Sequence, residues 1–216
     1  MANSSRSARQ IGRYNRSVFI NCPFDLEYKP LFHALVFSIQ HCGLIPRCAL
    51  EIQDSSEVRI SKISRLIGEC RFAIHDLSRV ELGASGLPRF NMLLELGIFY
   101  GAKIFGSRHQ KSKVCLVLCK ERFEYQKYIS DFAGQDFQAH DNDPRKLMPA
   151  LRSFLSPYLR RSLPSPKVLW DRYELFREDL RGFCKDDQLE ESEVQFWERL
   201  HMANKWFKRN IPEYRA

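Results

Sequence analysis

The sequence predicts an α/β fold: a five-stranded parallel sheet with helices on both faces, followed by a C-terminal helical hairpin. Three observations carry this. Between residues 17 and 161, short apolar β-rich runs alternate with stretches of helical periodicity, the pattern of parallel strands joined by right-handed crossovers. With 216 residues and 44% hydrophobic content, the chain is long enough for one sizeable core. At Ser162 the composition changes to SLPSPK, with two prolines and two serines in six residues, and two amphipathic patterns follow.

Taken in order, residues 1–16 form a polar, basic leader (Arg6, Arg9, Arg13, Arg16) that is expected to be disordered. The α/β domain then occupies 17–161. Its strands are read as SVFIN (17–21), LIPRCAL (44–50), FAIHDL (72–77), KVCLVLC (113–119) and a weaker DFQAH (136–140). Helical patterns lie between them: Leu31, Leu35, Phe37 and Ile39 before Cys42-Gly43; Val58, Ile60, Ile63, Leu66 and Ile67; RFNMLLELGIFYGAK at 89–103; a polar, aromatic stretch near Phe123 to Phe132; and a basic helix from Arg145 to Arg161. Between Phe90 and Ala102 nearly every residue is apolar or small, which predicts a helix buried on most sides. Residues 162–167 read as a linker. The appendage, 168–216, carries one helix marked by Trp170, Tyr173, Phe176 and Leu180 and another marked by Val194, Trp197, Leu200 and Phe207, with Ser192 as the expected cap. A two-helix unit buries little alone, so its aromatic stripe is expected on the α/β core or on a second subunit, and a homo-oligomer or protein partner is expected through these helices.

Composition excludes several classes. No apolar run approaches the roughly 18 residues of a spanning helix, and the amino end lacks a secretory h-region; a cytoplasmic protein with no membrane partner is expected. The seven cysteines are odd in number and contain no C-x-x-C pair, so free thiols are expected rather than a disulfide framework. The formal charge of +8 is scattered, and the segment from Lys167 onward holds ten Lys/Arg against eleven Asp/Glu, which disfavours nucleic acid. The histidines show no metal-ligand spacing, so no metal is expected. Strand 1 runs into NCPFD, without a P-loop or a dinucleotide glycine motif, and no G-x-S-x-G elbow is present.

Five strands suggest the flavodoxin-like order 2-1-3-4-5, in which the winding reverses between strands 1 and 3 and a ligand crevice opens at their carboxyl ends. Two loops face that crevice, Asn21-Cys22-Pro23-Phe24-Asp25 and His75-Asp76-Leu77-Ser78-Arg79. The second leads through a Gly-rich segment, VELGASGLPRF, expected to be mobile, into the helix that bears Glu95. An isolated carboxylate on an apolar helix is costly unless it pairs, neutralises or opens onto a cavity. Asn91 lies on the same helix face, and Arg59, Arg71 and Arg89 are candidate ion-pair partners that would make Glu95 purely structural. Strand alternation puts His75 and Asp76 on opposite faces. The crevice thus gathers Asp25, Asp54, Asp76, Asn91 and Glu95, a set suited to glycosidic chemistry, because the positively charged transition state at an anomeric carbon is stabilised or attacked by a nearby anion.

VFINCPFD, DSSEVRISKISRLIGECRFAIHDLSR and FNMLLELGIFYGAK, taken as a set over about residues 17–140, resemble the nucleoside 2-deoxyribosyltransferase-like group and the related TIR-like domains. The likeness is strongest at Glu95-Leu96-Gly97 with Gly101-Ala102-Lys103. The resemblance implies Glu95 as nucleophile or electrostatic stabiliser, Asp76 near the sugar hydroxyls, and Asn21, Cys22, Pro23, Phe24 and Asp25 near the base. It also implies Asp54 and Arg59 in a covering loop; Ser78, from the loop after strand 3, and Asn91, from the Glu95 helix face, are expected beside the substrate on their placement. Where the deoxyribosyltransferases carry an acidic, Gly-containing stretch before the glutamate helix, this chain has PRFNM. The expected activity is therefore hydrolysis or transfer at the N-glycosidic bond of NAD or a related nucleotide. NAD would be a substrate and no cofactor is expected; the TIR-like branch implies bacterial defence and assembly of several subunits. The alternative is a nucleotide-sensing or protein-interaction module without turnover.

Overall fold

The apolar run SVFIN forms β1 (Ser17–Asn21), all five residues of which are buried. The other runs form β2 (Ile45–Cys48), β3 (Phe72–Asp76), β4 (Val114–Cys119) and the short edge strand β5 (Gln138–Ala139). In the computed structural model, which describes residues 10–51, 54–79, 90–159 and 161–214, they make one sheet of order β2-β1-β3-β4-β5 with every neighbouring pair parallel. The fold is α/β and flavodoxin-like. Asn21 pairs with His75 at the carboxyl end of the β1/β3 ladder, where the winding reverses.

Helices α1 (Lys29–His41) and α4 (Pro144–Leu155) cover one face, and α2 (Arg59–Gly68) and α3 (Asn91–Phe105) cover the other. Ten of the thirteen residues of α1 are buried, because a second layer packs outside it. That layer is the C-terminal hairpin, α5 (Pro166–Asp186) and α6 (Phe196–Asn210). Phe37 of α1 stands among Phe176, Tyr173, Phe207 and Trp206, with ring centroids at 5.1, 5.4, 5.0 and 5.7 Å. The aromatic stripe is therefore core, continuous with the sheet and α1 through one hydrophobic cluster. α1 ends in a Schellman turn: Leu44 N–H donates to Ile39 O (3.1 Å) and Gly43 N–H to Gln40 O (2.7 Å), with Gly43 at φ +69°.

Several expectations change. The leader is not disordered throughout: residues 10–14 form a helical turn, and the Tyr14 hydroxyl donates to His109 O at 2.8 Å. Residues 1–9, with Arg6 and Arg9, lie outside the described residues. α3 is not buried on most sides. Met92, Glu95, Leu96 and Phe99 are its buried residues, a stripe at i, i+3, i+4 and i+7 flanked by the partly buried Leu93, Ile98 and Tyr100, because no layer packs outside this helix among the described residues. Phe90, Leu94, Ile104 and Phe105 are exposed. The stretch near Phe123 folds as two 3₁₀ turns, Glu124–Lys127 and Ser130–Phe132, after Phe123 itself enters the left-handed region. α4 stops at Leu155. The expected linker already contains the start of α5, where Ser165 Oγ accepts from Val168 N–H (3.3 Å) and Pro166 tolerates the missing donor of the first turn. Ser192 is not the cap of α6; Gln195 is, with Glu198 accepting its N–H at 2.7 Å. That start turns Phe196 inward and leaves Trp197 63% exposed.

Among the described residues, no helix is long and apolar enough to cross a membrane. All seven cysteines are free, and six of them are buried.

Candidate active site

The two loops at the switch point are built by different polar networks, one on each side of the sheet. On the α1 side, Asp76 is fully buried, and its carboxylate accepts from the Tyr28 hydroxyl, from Ser78 N–H (2.8 Å) and Oγ–H, and from His140 Nε2 (3.0 Å). His140 Nδ1 accepts the Asn142 backbone N–H (3.0 Å), which leaves Nε2 as the ring's donor. Ser78 Oγ, 2.7 Å from the same Nε2, shares the hydrogen of that nitrogen with Asp76 Oδ2 and donates its own to Asp76. Burial alone would raise the Asp76 carboxyl; the donors from His140, Ser78 and Tyr28 hold it below the ordinary carboxylate range. Asp76 and Ser78, expected beside the substrate, are buried and bonded to protein groups, and they tie together the chain after β1, β3 and β5. Tyr28 and His140 were missed, although His140 closes the DFQAH run and so stands at the carboxyl end of its strand, as Asp76 does.

On the α3 side, Asn21 is the organising residue. Its Nδ2 donates to Met92 O (2.8 Å) and to His75 Nδ1 (2.9 Å). Because a carbonyl only accepts, the amide orientation is fixed, and Oδ1 is left without a donor among the described residues. His75 points away from Asp76, as strand alternation requires, and packs edge-on to Phe99 at 5.2 Å. Burial, aided by Lys113, pushes the imidazole down to about 3, so it is neutral, and its Nε2 has no hydrogen-bond partner.

Glu95 lies one helical turn beyond Met92 on the inward stripe of α3. It is 8% exposed, and its carboxylate makes no hydrogen bond or ion pair with the described residues. Neither oxygen is sealed from solvent. Burial raises this carboxyl to about 7, opposed only by the more distant positive charge of Arg59. Among the described residues no arginine pairs with Glu95: Arg59 acts only through its charge, and Arg71 lies over the rings of Phe72 and Tyr158 at 5.2 and 5.7 Å; Arg89 lies outside the described residues. Asn91, the exposed first residue of α3, does not bond to Glu95.

The remaining expected residues scatter. Cys22 and Pro23 are buried behind the loop, and burial, with Asp76 and Glu95 among the nearby charges, pushes the Cys22 thiol well up. Phe24 packs edge-on to Phe32 at 5.3 Å, and Asp25 Oδ1 accepts Tyr28 N–H at 3.0 Å. Asp54 is exposed and spends its carboxylate on Ser56, through the backbone N–H (2.9 Å) and the hydroxyl (2.6 Å). Arg59 is exposed at the start of α2. The segment VELGASGLPRF lies, but for Phe90, outside the described residues. Of the expected residues, Arg59 is thus the one whose charge reaches Glu95, Asn21 ties β1 to α3 one turn before it, and Asp76, Ser78, Cys22 and Pro23 are buried elsewhere. None of the four cavities found among the described residues has Glu95 on its wall.

Among the described residues no group of three or more His, Cys, Asp or Glu is placed to hold a metal ion. Comparison of the chain with models of known protein families, with curated proteins and with solved structures finds no match.

Proposed function

We propose that the protein cleaves the N-glycosidic bond of NAD or a related nucleotide, with Glu95 acting at the anomeric carbon. The observation that carries this is an acid on an inward helix stripe with no partner among the described residues, poorly hydrated yet in contact with solvent, at the switch point of a parallel sheet. Ionised Glu95 attacks C1′ or stabilises the cation that forms there as the bond lengthens. Leaving-group chemistry favours NAD over deoxynucleosides. A nicotinamide cation departs neutral and needs no acid, whereas a neutral nucleoside base must be protonated as it leaves. The other acids expected here are engaged: Asp76 is sealed, Asp25 binds Tyr28 N–H and Asp54 binds Ser56. Arg59, the positive charge nearest in effect to Glu95, suits a diphosphate. The likeness of the β1, α2 and α3 motifs to TIR-like domains supports the same reading, with defence by nucleotide depletion as its setting.

Incubating the full chain with NAD, with nucleotides and with deoxynucleosides, beside Glu95→Gln, tests this. Nicotinamide release that falls at least about a hundredfold in the variant is expected. Turnover unchanged by the substitution would refute the role. A second reading, nucleotide sensing without turnover, is favoured by the engagement of the other expected acids, Asp25, Asp54 and Asp76, with protein groups. Its signature is saturable thermal stabilisation by NAD with no product.

A further inference from the structure

On the opposite side of the β1 loop from Glu95, a cavity of about 200 Å³ lies between α1 and the α5–α6 connection. Arg199 of α6 is on its wall. This residue is 94% buried (6% exposed), yet its guanidinium makes no hydrogen bond or ion pair with the described residues. A buried, unpaired guanidinium is normally a serious cost, and burial here works against its charge. Lys29, the first residue of α1, lines the same space, and His33 follows one turn later. His33 is pushed down to about 3 by burial and by Arg199, Lys29 and Arg177, so it is neutral and can donate a hydrogen bond without adding charge. The acid on the wall, Glu191, is exposed and forms no ion pair with Arg199, although its charge and that of Tyr173 favour the guanidinium; Glu198, close by on α6, is spent on Gln195 N–H. The amino ends of α1 and α6 both border the cavity and add their partial positive charges. One side is apolar, formed by Phe24 and Phe32.

We propose that this cavity is a binding site for a small phosphomonoester, whose dianionic phosphate is held by Arg199 and Lys29 and whose carbon portion rests on Phe24 and Phe32. Two cations and two helix amino ends match a dianion better than a monocarboxylate. The volume lies below the roughly 300 Å³ at which pockets for drug-sized ligands begin, so a phosphorylated triose or a similarly small metabolite fits and a whole nucleotide does not. Such a ligand would clamp the C-terminal hairpin to the loop that carries Asn21 through Asp25. Of the residues expected around the Glu95 substrate the site uses Phe24 alone, and since Glu95 takes no part in it, it stands or falls separately from the chemistry proposed above.

The test is calorimetric titration and thermal unfolding of the full chain at neutral pH with glycerol 3-phosphate, inorganic phosphate and AMP, against sodium chloride of equal ionic strength. Saturable binding of glycerol 3-phosphate below about 10 mM, a matching rise in melting temperature and no tighter binding of AMP are expected. Arg199→Met is expected to fold with equal or greater stability when unliganded, since it removes an unpaired buried charge, and to bind at least about tenfold more weakly. Lys29→Met, at a half-buried position, is read in the same way should the first variant fail to fold. No saturable binding beyond the chloride control, or affinity unchanged in the variants, would overturn the proposal.

Discussion

Replacing Glu95 with glutamine should make the protein more stable, and only above mildly acidic pH. The carboxyl is raised from its ordinary 4.5 to about 7, chiefly because it is buried and has no donor. The gap corresponds to about 3 kcal/mol at about 1.4 kcal/mol per factor of ten in proton affinity. Because the oxygens keep some contact with water, about 1–3 kcal/mol is the expected range. The sign follows from linkage. The folded state holds the proton more tightly than the unfolded chain, so wild-type stability from this group is full below about 4.5 and is lost as pH rises to about 7. Glutamine does not titrate. The variant and the wild type should therefore differ least near pH 4, and the advantage of Glu95→Gln should grow until about pH 7 and then level off. Urea unfolding across this range measures it, read from the midpoint at constant slope. A difference that is flat with pH, or a variant less stable at pH 8, would refute the picture of an unpartnered, poorly hydrated acid. Any Glu95-dependent turnover should rise through the same interval, since the ionised form does the work.

Three further substitutions probe the frame that holds the crevice. Asp76→Asn leaves Tyr28, Ser78 and His140 without their shared acceptor and should cost about 2–4 kcal/mol in urea unfolding at neutral pH. As the Asp76 carboxyl is held low, that contribution is present above its ordinary 3.8 and disappears as pH falls through the folded value, so the two proteins should converge in acid. Phe37→Ala removes the ring around which the hairpin packs; a loss of about 3–5 kcal/mol is expected, and hydrogen exchange in α5 and α6 should speed more than in β3. Gly43→Ala places a side chain at φ +69° and should cost about 1–2 kcal/mol by thermal unfolding, whether or not the flexible Arg161 side chain moves aside.

The sequence by itself determined the layout: five strands, their parallel arrangement, the 2-1-3-4-5 order and the two loops at the switch point. These follow from period-2 and period-3.6 patterning and from crossover handedness, which are local or nearly local rules. It also singled out Glu95, because a carboxylate amid apolar residues is conspicuous wherever the helix lies. Only the tertiary structure decided which helix would be enclosed. KPLFHALVFSIQH and NMLLELGIFYGAKIF are both apolar, yet α1 lies beneath the hairpin and α3 has one covered face, a difference set by the chain 130 or more residues downstream. The same holds for Asp76 and Arg199. Whether a buried charge is satisfied depends on donors brought from Tyr28 and His140, or left absent beside Lys29, and such meetings between distant segments leave no periodicity to read.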